Sequence, residues 1–234
     1  MNSAWYLEND IIPDISVGID EVGRGPLAGP VVAAAVWISS SGIAMLENSE
    51  LPVRDSKKLS FNQREKVVQW INAQPSDIVK YAIGEASVQE IDSKNILQAT
   101  FLAMQRAHSQ LDAKDKVVLV DGNKAPEFGL SEVITVVKGD NKVVSISLAS
   151  IIAKQHRDRI MVDLAKKYPN YGWENNVGYG THEHICAILR YGSTPHHRKS
   201  FAPVKDLDTA SQNILNIVEI LSTPEPKSSK PRVG

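Results

Sequence analysis

The sequence predicts an α/β layer fold. Short apolar runs of strand character alternate with longer segments of helical period, which is the first ground for that class. The second is that residues 15 to 22 and 30 to 38 are too uniformly apolar for a sheet with one wet face, so they read as central strands covered on both sides. The third is length, since 234 residues suffice for one large domain with a buried core.

The two leading strands flank a glycine-rich turn in "GIDEVGRGPLAGP", Gly18 to Pro30. "LSFNQREKVVQWINAQP" has helical spacing from Ser60 and stops before Pro75. "DIVKYAIGEA" is strand-like. "SVQEIDSKNILQATFLAMQRAHSQL" opens with Ser87 and Glu90 as a capping box and continues as one amphipathic helix. "KVVLVDGN" is a short buried strand ending at Asp121, and "VITVVKGD" is another ending at Asp140. A long helix is predicted through "VVSISLASIIAKQHRDRIMVDLAKKY", and a shorter one from Thr181 to Tyr191 is closed by Gly192. Residues 206–222 form a last predicted helix, and the Pro/Ser/Lys-rich residues 223–234 a disordered tail. Residues 1–14 are expected to be an N-terminal extension to one main domain over 15–205.

Composition excludes several classes. With 42% hydrophobic and 23% charged residues and a formal net charge of -1, the chain has no global charge that points to nucleic acid, so any such partner must be held by a local patch. A single cysteine, Cys186, excludes an internal disulfide and a multi-cysteine zinc site. The histidine pairs His182/His184 and His196/His197 lack a complete zinc spacing and read as helix-cap or phosphate-side residues. No secretion signal is evident, and the longest apolar run, "VVAAAVWI", is far short of the ~20 residues a membrane span needs. A soluble, cytoplasmic protein with no membrane partner is expected.

The chemistry lies in the acids. Three predicted strands end in carboxylates: Asp20 with Glu21, Asp121, and Asp140. Strand ends converge in open α/β sheets, and ligands bind in the crevice there. Like charges ~4 Å apart repel by ~4 kcal/mol at an effective dielectric of 20, so four clustered carboxylates call for protons or a cation. Hard oxygen donors select Mg²⁺ or Mn²⁺ over Zn²⁺. Two such ions ~3.5–4 Å apart suit in-line displacement at a phosphodiester. A regular strand points neighbouring side chains to opposite faces, so β structure is expected to end, kink or bulge at Asp20-Glu21 for both acids to reach one site.

In order along the chain, "GIDEVGRGPLAGP", "DSKKLS", "VDGN", "VVKGD", "SIIAK", "RDR", "GYGT" and "HHRKSF" resemble the motifs of bacterial ribonuclease HII, from about residue 15 to residue 205. The resemblance implies a ribonuclease-H-like fold, with a mixed central sheet flanked by helices and a helical C-terminal part. It implies that Asp20, Glu21, Asp121 and Asp140 are the metal-binding, catalytic set, with Mg²⁺ or Mn²⁺ as cofactor. The implied reaction hydrolyses the RNA strand of RNA/DNA hybrids, and incises DNA at single embedded ribonucleotides, leaving 3′-hydroxyl and 5′-phosphate ends. The implied role is ribonucleotide removal from DNA and RNA primer removal.

The resemblance also assigns the turn Gly23, Arg24 and Gly25 to reading the ribose 2′-hydroxyl. That fits the close backbone approach glycine allows and the donor–acceptor character of that hydroxyl. Tyr179 resembles the tyrosine that stacks on the sugar beside the ribonucleotide. Lys57, Lys58, Lys154 and Arg198 are candidate phosphate contacts, with Lys142 and Lys199 also available. Three features depart from the family pattern: Val177 replaces a common lysine, Gln155-His156 a common Val-Thr, and "SISLAS" a more alanine-rich run. They bear on phosphate contacts, not on the acids. A ribonuclease HIII-like nuclease, a non-catalytic hybrid-binding protein and a Mg²⁺ enzyme on small phosphate esters are the rival readings. A monomer is expected, and no sliding-clamp motif is evident.

Overall fold

The computed structural model describes residues 13–53, 59–111, 113 and 115–207. Most of the predicted C-terminal helix, the predicted tail, and residues 1–12 of the N-terminal extension lie outside the described residues.

Strand β1 (Ser16–Val22) pairs antiparallel with β2 (Val31–Ile38) across the glycine-rich turn. β3 (Val79–Ala86) adds antiparallel to the far edge of β2. β4 (Val117–Asp121) runs parallel to β1, and β5 (Val133–Val136) parallel to β4. The order β3-β2-β1-β4-β5 makes a mixed sheet with β1 at its centre, as the uniform apolarity of β1 and β2 predicts.

Helices cover both faces. The chain supplies α1 (Ser40–Glu47), α2 (Phe61–Asn72), α3 (Val88–Lys94), α4 (Ile96–Leu111), α5 (Val144–Lys167), α6 (Trp173–Asn176) and α7 (His182–Tyr191). On one face α2 and α5 pack against Val32, Ala34 and Val36 of β2; on the other α4 packs against Val17, Ile19, Ala33 and Ala35. The alternating small residues of β2 let both layers close on the sheet. Gly18 has the same use on β1, because a Cβ there would stand 2.3 Å from the Ile146 backbone nitrogen of α5. Ile146, Leu148, Ile151 and Ile152 of α5 are almost wholly buried, and side chains of that kind contribute about 1.5–3 kcal/mol each. A third cluster joins Met161 and Ala165 of α5 to Leu27, Ala28, Trp173 and Ile188, which ties the C-terminal helices to the turn after β1.

The capping boxes at Ser60/Gln63 and Ser87/Glu90 are both formed. The single helix expected over 87–111 is instead two. Asn95 takes a left-handed φ of 72°, ends α3, and its side-chain oxygen accepts from the backbone N–H groups of Leu97 and Gln98 to start α4. Asparagine both tolerates that φ and caps well. The short helices α1 and α6 have too few turns to show a period in the sequence.

Candidate active site

Because β1 and β4 are parallel and Ile19 lies opposite Val120, Asp20, Glu21 and Asp121 emerge at the same end of the sheet. Asp140 reaches that end differently from the expectation. β5 stops at Val136, and Asp140 sits beyond it in a 3-10 turn (Gly139–Asn141) that leads into α5. The Gly139 N–H donates to Asp121 Oδ1 at 2.7 Å, which latches this turn to the end of β4. Asp140 is buried, and its Oδ1 accepts from Asn141 Nδ2 at 3.0 Å.

Of the end, kink or bulge expected at Asp20-Glu21, no bulge forms, and β1 ends one residue later, at Val22 before the Gly23 turn. Its pairing with β2 stays regular through Asp20, Glu21 and Val22. Asp20 is hydrogen-bonded to the side chain of Ser150 on α5, whereas Glu21 lines a cleft against α4 on the other face. Two opposite-facing acids come within electrostatic reach here because they stand at the sheet end, where Asp121 interacts with both.

Burial raises the Asp20 carboxyl well above its ordinary pKa, and repulsion from Glu21 and Asp121 adds to it. Burial also raises Glu21, partly offset by Arg24, whose Nη1 is 3.3 Å from Glu21 Oε1. Buried carboxylates that repel one another are unfavourable alone and suited to a divalent cation. Among the described residues no three His, Cys, Asp or Glu side chains close a metal cage by themselves.

The turn and the tyrosine come together. Gly23 has φ 92°. A Cβ on Gly25 would lie 3.6 Å from Tyr179 Cε1, so the half-exposed tyrosine ring stands against the turn. The Leu27 N–H donates to Gly178 O at 2.8 Å, joining the two segments by their backbones.

The basic residues divide. Arg198, read from the sequence as a phosphate contact, is 0% exposed, and its N–H groups go to the carbonyls of Gly29, Arg24 and Gly23. It buttresses the turn from within. Lys154 is partly exposed and paired with Asp158 at 2.7 Å. Lys57 and Lys58 lie outside the described residues. The histidines also differ from expectation. His184 and His197 are buried with their Nε2 atoms 3.0 Å apart, and Trp173 Nε1 donates to His184 Nε2.

Two of the three departures from the family pattern, Gln155-His156 and Val177, make defined contacts. Gln155 is buried and bridges α5 to Arg64 and Glu65 of α2. His156 meets Glu85 at 2.7 Å. Val177 ends α6 at φ 43° and packs into the third core cluster.

Four residues absent from the sequence-derived site belong beside it. Asn123 and Lys124 line the cleft of about 330 Å³ with Glu21 and Arg24. Ser150 meets Asp20, and Arg157 lies under the turn. The spacing of Ser150, Lys154 and Arg157, at i, i+4 and i+7 on one helix, was the available signal.

A family model described as Ribonuclease HII matches residues 17–204. The chain belongs to the ribonuclease HII family. Among its curated relatives, Ribonuclease HII of Sphingopyxis alaskensis is 52% identical over 197 residues, covering 84% of this chain and 93% of that one. Ribonuclease HII of Rhodospirillum rubrum is 50% identical over 206 residues, covering 83% and 91%. The crystal structure of ribonuclease H2 from Pyrococcus horikoshii OT3 superposes with a TM-score of 0.68 at 28% identity, covering 84% of this chain and 98% of that one. Family membership makes the chain an enzyme of the ribonuclease H class, and its mixed sheet flanked by helices is the ribonuclease-H-like fold. Among the described residues no helix is long and apolar enough to cross a membrane.

Proposed function

We propose that the enzyme is a two-metal endonuclease that cuts the RNA strand of RNA/DNA hybrids and incises duplex DNA 5′ of single ribonucleotides. Its role would be ribonucleotide removal from DNA and primer removal. The observation that carries this reading is the adjacency of mutually repelling acids, Asp20, Glu21 and Asp121, to a glycine turn whose Gly25 faces Tyr179.

Asp20, Glu21, Asp121 and Asp140 would hold Mg²⁺ or Mn²⁺, the kind of ion on which ribonuclease H enzymes depend. When bound, such ions activate water and offset charge on the leaving oxygen. The chain's own residues do the rest. Ser150 and the Glu21 N–H orient the Asp20 carboxylate, and the Gly139 N–H orients Asp121. Oriented ligands lower the reorganisation needed at the reacting phosphate. The turn at Gly23, Arg24 and Gly25 offers backbone donors and acceptors to a 2′-hydroxyl. Tyr179 stacks on the adjoining sugar, and Lys124 and Lys154 face the phosphates.

A DNA duplex with one ribonucleotide, incubated with Mn²⁺, tests the reading. One cut on the 5′ side of the ribonucleotide, giving 3′-hydroxyl and 5′-phosphate ends, is expected. A 2′,3′-cyclic phosphate, or equal cutting of an all-DNA duplex, would overturn it. Tyr179→Ala is expected to lower the ratio of single-ribonucleotide cleavage to RNA/DNA hybrid cleavage by about tenfold, given the ~1–3 kcal/mol typical of one aromatic stack.

A further inference from the structure

Beneath the turn lie two arginines that the reaction does not use. Arg157 and Arg198 are each 0% exposed, and among the described residues neither forms an ion pair. Burial lowers Arg157 to about 10, and burial with repulsion from Arg157 lowers Arg198 to about 9, so both remain cations at neutral pH. Asp158 and Asp92 act on them only at a distance, and two buried like charges with no carboxylate in contact are costly unless directed hydrogen bonds offset them.

Those bonds all go to backbone carbonyls, those of the segment from Gly23 to Pro30 and that of Val177. Arg157 donates from Nε to Pro30 O (3.0 Å), from Nη2 to Ala28 O (3.0 Å) and from Nη1 to Val177 O (2.9 Å). It therefore spans from the turn side to the loop carrying Tyr179. Arg198 donates from Nε to Gly29 O (3.0 Å) and from Nη1 to Arg24 O (2.9 Å), and Nη2 also reaches Gly23 O. A Cβ on Gly23 would lie 2.3 Å from Arg157 Nε, so the guanidinium rests directly against the turn.

We propose that Arg157 and Arg198 are positioning residues that fix the Gly23–Gly25 turn against Tyr179, and thereby set the preference for a ribonucleotide next to deoxyribonucleotides. This rests on the ribose-sensing reading of those two segments. A planar guanidinium can hold three carbonyls in fixed directions, which a single ammonium cannot do in the same geometry.

The test compares wild type, Arg157→Lys, Tyr179→Ala and the double variant on a single-ribonucleotide duplex and on an RNA/DNA hybrid. Folding is followed by thermal melting. In folded Arg157→Lys the ratio of the two kcat/KM values should fall by about tenfold, since small misplacements of positioning groups cost rate steeply. The double variant should be no worse than Tyr179→Ala, because both changes remove one coupled effect. Equal loss on both substrates, or effects that multiply in the double variant, would overturn the proposal. If Arg157→Lys does not fold, Arg198→Lys replaces it, since its guanidinium is the one that holds the Gly23, Arg24 and Gly29 carbonyls. A lowered ratio supports the proposal and an unchanged one refutes it. A ratio lost in Tyr179→Ala but kept in Arg157→Lys sinks the proposal alone. A ratio unchanged in Tyr179→Ala sinks the ribose-sensing reading and this proposal with it.

Discussion

Asp121→Asn is expected to abolish cutting while nucleic acid binding persists. Asp121 is the acid that interacts with both Asp20 and Glu21, and it also anchors the turn carrying Asp140 through the Gly139 N–H. Asparagine keeps an oxygen for Gly139 and nearly the same shape, but removes the charge that a divalent cation would need. Single-turnover cleavage should fall by about 10³-fold or more, the scale set by losing one preorganised electrostatic group. Binding of a labelled hybrid should change by less than about threefold, because its phosphates are held by other side chains. Turnover within tenfold of wild type would exclude Asp121 from the chemistry.

Asp20→Asn is expected to stabilise the metal-free protein while inactivating it. The carboxyl is buried among like charges, which raises its pKa in the folded state above the unfolded value of 3.8. A folded state that holds its proton more tightly loses stability as pH rises from the unfolded value through the raised folded one. The gain from Asn should thus be full above the raised folded value and vanish toward pH 3.8. In EDTA the melting temperature should rise by about 2–4 °C for each kcal/mol of repulsion and desolvation relieved. Mn²⁺ should stabilise wild type by mass action and the variant much less. A variant melting below wild type in EDTA at neutral pH would show that Asp20 is not under electrostatic strain. Stability sacrificed at a functional site is a common trade in enzymes.

Much of this was legible in the sequence because local signals and tertiary demands agreed. The apolar runs of β1 and β2, the caps at Ser60 and Ser87, and the Gly192 stop each have a short-range physical cause. So do the acids at the ends of β1 and β4. What could not be read depends on distant partners. The meeting of Asp20 and Glu21 from opposite faces follows from where β1 ends relative to β4 and α4, so no bulge was needed. Arg198 looked like a surface cation beside Lys199, and only the packing of residues 196–198 against residues 23–30 shows that it is internal. Asn95 breaks a helix whose apolar period runs through it, because its own side chain supplies the next cap.

Cleavage of a duplex containing one ribonucleotide, followed as divalent metal is removed and restored, tests the central claim most directly. The acid cluster predicts no incision in EDTA, recovery with Mg²⁺ or Mn²⁺, and no recovery in Asp121→Asn at any metal concentration. Incision that persists in EDTA at the wild-type rate would contradict it.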